Sequence, residues 1–145
     1  MGKVRHQLLG HKAAVKALAW CPWERNLLVT GGGSTDKTMR FWNTELGKCV
    51  NIVDAESQVC NLLWHQEYRE VVSSHGYANN QISIWRVGNQ KREYPICSKV
   101  GELYGHKKRV LHMVKSPDET TLCTASGDET LRFWKLFDKE ERRKS

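Results

Sequence analysis

Ser126-Gly127-Asp128-Glu129-Thr130-Leu131-Arg132-Phe133-Trp134 is the stretch on which the fold turns. Its Ser-Gly-Asp start favours a tight turn, because short polar side chains hydrogen-bond their own backbone and glycine accepts almost any φ. The alternation of Leu131 and Phe133 then puts two apolar side chains on one face, the period-two pattern of a half-buried strand. Two other stretches repeat the pattern: Asp36 precedes Phe41-Trp42, and Asn79 precedes Ile84-Trp85. In all three the turn residue lies six positions before the tryptophan, and the tryptophans are 43 and then 49 residues apart. A unit of that length that ends in a strand has room for a small sheet of four strands.

The upstream sequence fills in the rest of each unit. Gly10-His11 and Gly105-His106 open the first and third units, and Asp54-Ala55 holds the same place in the second. Val15, Val59 and Val110 stand four residues after His11, Ala55 and His106, and Ala19, Leu63 and Val114 stand eight after, which predicts a first strand in each unit. Second strands are expected at 27–30, 71–74 and 122–124, and third strands at 38–42, 81–85 and 130–134. In the third strands Met39 with Phe41, Ile82 with Ile84, and Leu131 with Phe133 share a face. No segment carries a helical period of comparable quality. The units run from 11 to 53, from 54 to 103 with a long link at 86–96, and from 104 to 137, and a charged tail follows at 138–145.

Composition narrows the class. The chain has 145 residues, 39% hydrophobic and 27% charged with six Trp, a balance that describes a folded domain. It contains no apolar run long enough to cross a membrane as a helix and no apolar stretch near Met1, so the cytoplasm and nucleus are the expected compartments. Cys21, Cys49, Cys60, Cys97 and Cys123 are odd in number and never spaced as C-x-x-C, and they read as reduced core residues. The net charge of +7 is mostly scattered. Its two concentrations are Lys107-Lys108-Arg109 and Arg142-Arg143-Lys144, the second diluted by Asp138, Glu140 and Glu141; both read as solvated faces, and a nucleic-acid partner is not expected.

Together the units resemble WD40 repeats, the blades of an all-β propeller. The resemblance implies a hydrogen-bonded tetrad of His11, Thr30, Asp36 and Trp42, repeated as His106, Thr124, Asp128 and Trp134. The second unit has Ala55 and Asn79 in place of the His and Asp, so its tetrad is incomplete and that blade should be weaker. A His, a hydroxyl and an Asp also make up a hydrolase triad, but here the set recurs and no G-x-S-x-G elbow accompanies it. His65, His75 and His112 have no partners at metal-ligand spacing, and no cofactor is implied. The resemblance implies a ring of about seven blades, of which the chain reads as the last three, with His6-Gln7-Leu8-Leu9 in segment 1–10 as an outer strand of a preceding blade. Such a piece needs the missing blades to cover its open faces.

A narrower resemblance runs from about His11 to Phe137. The runs Gly31-Gly32-Gly33-Ser34-Thr35-Asp36, Ser57-Gln58-Val59-Cys60-Asn61-Leu62, His75-Gly76-Tyr77 with Asn80-Gln81-Ile82, and Arg109-Val110-Leu111 are similar to the Fizzy and Fizzy-related co-activators of the anaphase-promoting complex. The resemblance implies a non-catalytic receptor that binds degradation motifs of cell-cycle proteins and presents them to that ubiquitin ligase. It assigns a Lys-Glu-Asn motif to Ser34, Gln58 and Arg109, and the arginine of a destruction box to Glu129. Gln58 and Arg109 each follow their unit's opening residue by three positions, which puts them at one rim. The main rival is a WD40 scaffold for other proteins; an enzyme ranks last.

Overall fold

The computed structural model describes residues 2–88 and 97–136. Eleven strands follow in chain order: β1 (Val15–Trp20), β2 (Leu27–Gly32), β3 (Thr38–Asn43), β4 (Lys48–Asp54), β5 (Val59–His65), β6 (Glu70–His75), β7 (Ile82–Val87), β8 (Cys97–Leu103), β9 (Val110–Lys115), β10 (Thr121–Ser126) and β11 (Leu131–Lys135). They form antiparallel meanders ordered β1-β2-β3-β4, β5-β6-β7-β8 and β9-β10-β11. The third sheet has three strands among the described residues, not the expected four.

The first strands of adjacent sheets contact each other, β1 with β5 and β5 with β9. The outer strands β4 and β8 make their main contacts within their own sheets. The sheets therefore fan out from a common inner side, the arrangement of propeller blades. Packing between blades follows a rule. Met39 and Phe41 on β3 are buried against Val59, Leu62 and Trp64 on β5, and Ile82 and Ile84 on β7 are buried against Val110 and Met113 on β9. Val15, Leu18 and Trp20 on β1, and Leu131 and Phe133 on β11, occupy the same positions with no neighbouring sheet, and all five are exposed.

Three expectations change. Residues 2–10, where an outer strand is expected at 6–9, join no sheet among the described residues. The segment lies instead along the first blade, with His6 beside Gly47 and Gly10 against Arg40 and Trp42. The long link begins later than residue 86, since Arg86 pairs with Ser98 and Val87 with Cys97; residues 89–96, and the tail from 137 on, lie outside the described residues. Bulges break the simple alternation in the first strands, between Val15 and Ala17 and between Val59 and Asn61. One extra residue flips the strand. Val59 thus faces the first blade while Leu63, four residues on, packs on the cluster shared with the third.

Candidate functional site

Each blade is pinned by a buried polar chain. In the first, the Trp42 indole N–H donates to Thr30 Oγ1 at 2.8 Å, the Thr30 hydroxyl meets His11 Nε2 at 2.6 Å, and His11 Nδ1 donates to Asp36. Every member of this chain has its partner, so the burial of four polar groups carries no unpaired cost. Burial raises the pKa of Asp36, but the hydrogen bonds from His11 and Thr38 outweigh it and hold the carboxyl below its usual range. Gly32 makes room for that carboxylate: a Cβ there would lie 1.8 Å from Asp36 Oδ2. The third blade repeats the chain with Trp134 to Thr124 at 2.9 Å, Thr124 to His106 at 2.8 Å and His106 to Asp128 at 2.9 Å. The Thr130 hydroxyl and the Lys107 N–H also donate to Asp128, and with His106 they hold its carboxyl well below the usual range.

The second blade rebuilds part of the network. Trp85 donates to Ser73 Oγ at 2.7 Å, and Ser73 bonds His75 Nε2 at 2.7 Å. His75 stands two residues after Ser73, where the first blade has Gly32 two after Thr30. An imidazole from the second strand itself therefore supplies the nitrogen that Ala55 cannot, and the chain ends at His75 with no carboxylate in the fourth place, so the network stays one member short, as expected. Burial pushes the His75 pKa down to about 4, with the Gln58 backbone pulling the other way. Nδ1 of His75, Oγ of Ser57 and Oε1 of Gln81 are buried without a hydrogen bond of normal geometry.

The turns at one end of the blades carry the residues assigned from the sequence. Gln58 is buried, only 7% exposed, immediately before β5. Its amide lies over Gly76, where a Cβ would sit 2.0 Å from Gln58 Nε2 and 2.8 Å from Arg109 Cγ. Gln58 and Arg109 thus meet across the junction of the second and third blades, and Gly76 is the floor that lets them. Arg109 accepts at its carbonyl from the Gly127 N–H at 3.0 Å, as Ala14 does from Gly33, so in the first and third blades the loop before the first strand is tied to the end of the second. Ser34 is exposed in the β2–β3 turn of the first blade, and no hydrogen bond links it to Gln58 or Arg109. Glu129 is exposed in the β10–β11 turn at φ 69°, beside the fully engaged Asp128. Burial raises the Cys60 thiol pKa, against the opposing charges of Lys16 and Arg109.

Next to the Gln58–Arg109 pair opens a cleft of about 430 Å³, walled by Tyr77 and Asn80 from the second blade and by Lys107, Lys108 and Leu111 from the third. The run Lys107-Lys108-Arg109 is legible in the sequence as charge, but its convergence with the β6–β7 turn is not, because contact between those loops depends on how two blades pack. Among the described residues no group of three His, Cys, Asp or Glu is placed to hold a metal ion, and no helix is long and apolar enough to cross a membrane.

Comparison with known proteins sets this geometry in context. The family described as WD domain, G-beta repeat matches residues 2–43 and 97–135. The chain is 54% identical over 132 residues to cell division cycle 20.1, cofactor of APC complex, of Arabidopsis thaliana, covering 91% of this chain and 27% of that protein. It is 53% identical over 137 residues to the anaphase-promoting complex subunit cdc20 of Dictyostelium discoideum, covering 94% and 26%. Protein FIZZY-RELATED 3 of Arabidopsis thaliana is 50% identical over 131 residues, covering 90% and 26%. The chain therefore spans about a quarter of the length of these relatives. Among solved structures, a chain of a mitotic checkpoint complex superposes with a TM-score of 0.81 at 46% identity, covering 88% of this chain and 39% of that one.

Proposed function

The chain belongs to the WD-domain, G-beta repeat family, and on that premise we propose that it is part of the substrate-recognition propeller of an anaphase-promoting-complex co-activator. It would bind short degradation motifs of cell-cycle proteins and would not act as a catalyst. The observation that carries the proposal is the meeting of Gln58 and Arg109 over Gly76 at one end of the blades. An exposed guanidinium beside a buried amide suits a peptide that offers a carboxylate and an amide or amine, as Lys-Glu-Asn does. Arg109 would take the motif glutamate by charge-assisted bonds, and Gln58 would meet the polar neighbours. Ser34 stands on the first blade and would add its hydroxyl to the far end of the motif.

Glu129, free while Asp128 is engaged, is available to an arginine of a destruction box. An exposed ion pair of that kind contributes about 0–1 kcal/mol, so the affinity would come from several contacts and from tethering. The names of two of these relatives tie them to the anaphase-promoting complex; the same assembly is the proposed partner here, with the nucleus and cytoplasm as the expected compartments. The test is titration of a fluorescent Lys-Glu-Asn peptide against the chain and against Gln58→Leu, with circular dichroism as the fold control. Loss of a buried polar contact predicts roughly tenfold weaker binding for Gln58→Leu. A folded chain that binds no such peptide would instead favour a scaffold for other proteins.

A further inference from the structure

Lys107, Lys108 and Arg109 put three consecutive cations at the mouth of the cleft between the second and third blades. All three are exposed, and none makes an ion pair among the described residues. Asp128 on the same blade accepts from His106 Nδ1, the Lys107 N–H and the Thr130 N–H and hydroxyl, and the ammonium and guanidinium groups of the three cations make no ion pair with it. The opposite wall is neutral: Tyr77, 85% exposed, and Asn80. The cleft volume falls within the range of about 300–1,000 Å³ that ligand clefts span.

We propose that this cleft is an anion-selective docking site for the acidic side chains of a peptide segment that flanks the degradation motif. The proposal rests on the degron reading for its neighbour, because Arg109 belongs both to the cleft and to the Gln58–Arg109 pair over Gly76. A peptide held there continues directly along the lysines, and Asp or Glu residues next to the motif meet them within a residue or two. Lys107 and Lys108 then read sequence context that the motif itself does not contain. A nucleic acid is a poorer occupant: single strands bind on successive aromatic platforms, and the cleft offers the single ring of Tyr77.

The experiment titrates three labelled peptides against the full chain: the motif with neutral flanks, the motif with Asp-Glu flanks, and the Asp-Glu segment without the motif. The same peptides are titrated against the double variant Lys107→Ser, Lys108→Ser, with circular dichroism as the fold control. At low salt the acidic flanks should tighten binding by about tenfold, and the double variant should lose that gain while keeping its affinity for the neutral-flanked motif. Equal affinity of the wild-type chain for both flanked peptides, or a variant that keeps the preference, overturns the proposal. If the neutral-flanked motif binds neither protein, acidic peptides that bind the wild-type chain and not the variant still support the cleft, and the degron reading alone fails. Displacement of the acidic peptide by a short single-stranded oligonucleotide at lower concentration than by the peptide itself would overturn the proposal in favour of nucleic acid.

Discussion

Gly76 and His75 are neighbours with different duties. A methyl group on Gly76 would meet the end of the flexible Gln58 side chain and the Arg109 stem, so Gly76→Ala should move the site while leaving the fold almost untouched. The expected result is peptide affinity down by about tenfold with a melting temperature within a few degrees of wild type; unchanged affinity would remove Gly76 from the site. His75 is neutral in the folded chain, with a pKa of about 4 against 6.5 for an unperturbed imidazole. The unfolded chain therefore takes up a proton first, and stability present above pH 6.5 is lost as the pH falls towards 4. That single group accounts for a loss on the order of 3 kcal/mol. Urea denaturation at several pH values should show the slope, and His75→Gln should flatten it. Burial depresses the His65 pKa as well, so part of the slope should remain.

At the scale of the blade, one hydroxyl sits at the centre of each network. Thr30→Val or Thr124→Val strands both a tryptophan N–H and an imidazole nitrogen, and each should cost about 2–3 kcal/mol, read as a shift of the denaturation midpoint. Ser73→Ala should cost at least as much, because the second blade is covered on both faces while the third is open on one. A smaller loss would mean that the His75 network is ornamental and that the second blade is weak, as Ala55 and Asn79 alone imply. Much of this scale is legible in the sequence: the Trp spacing locates the third strands, and the resemblance to WD40 repeats implies two of the networks residue by residue. His75 is not legible as a network member, because its role depends on the register of β6. The bulges are equally hidden, since an apolar residue four positions on can belong to either face once one residue is inserted.

Among the described residues the molecule has two open faces of the same kind that it buries internally. Leu18 and Trp20 at one end, and Leu131 and Phe133 at the other, would each contribute about 1.5–3 kcal/mol on burial. The isolated chain should therefore self-associate, with a sedimentation coefficient that rises with concentration and falls back in Trp20→Glu and Phe133→Glu; a monomer at all concentrations would contradict the blade packing. The site is half legible at this scale. The equal spacing of Gln58 and Arg109 from their unit openings predicts a shared rim, but the burial of Gln58, the floor at Gly76 and the cleft beside it come from contact between blades. The central claim is that Arg109 faces the glutamate of a degradation motif, and a charge swap tests it most directly. Affinity is measured for wild type and Arg109→Glu with peptides carrying Lys-Glu-Asn and Lys-Arg-Asn. Arg109→Glu should lose the first peptide by about tenfold or more and recover the second by a similar factor; if the variant holds the first peptide as wild type does, or the swap recovers nothing, Arg109 does not face the motif.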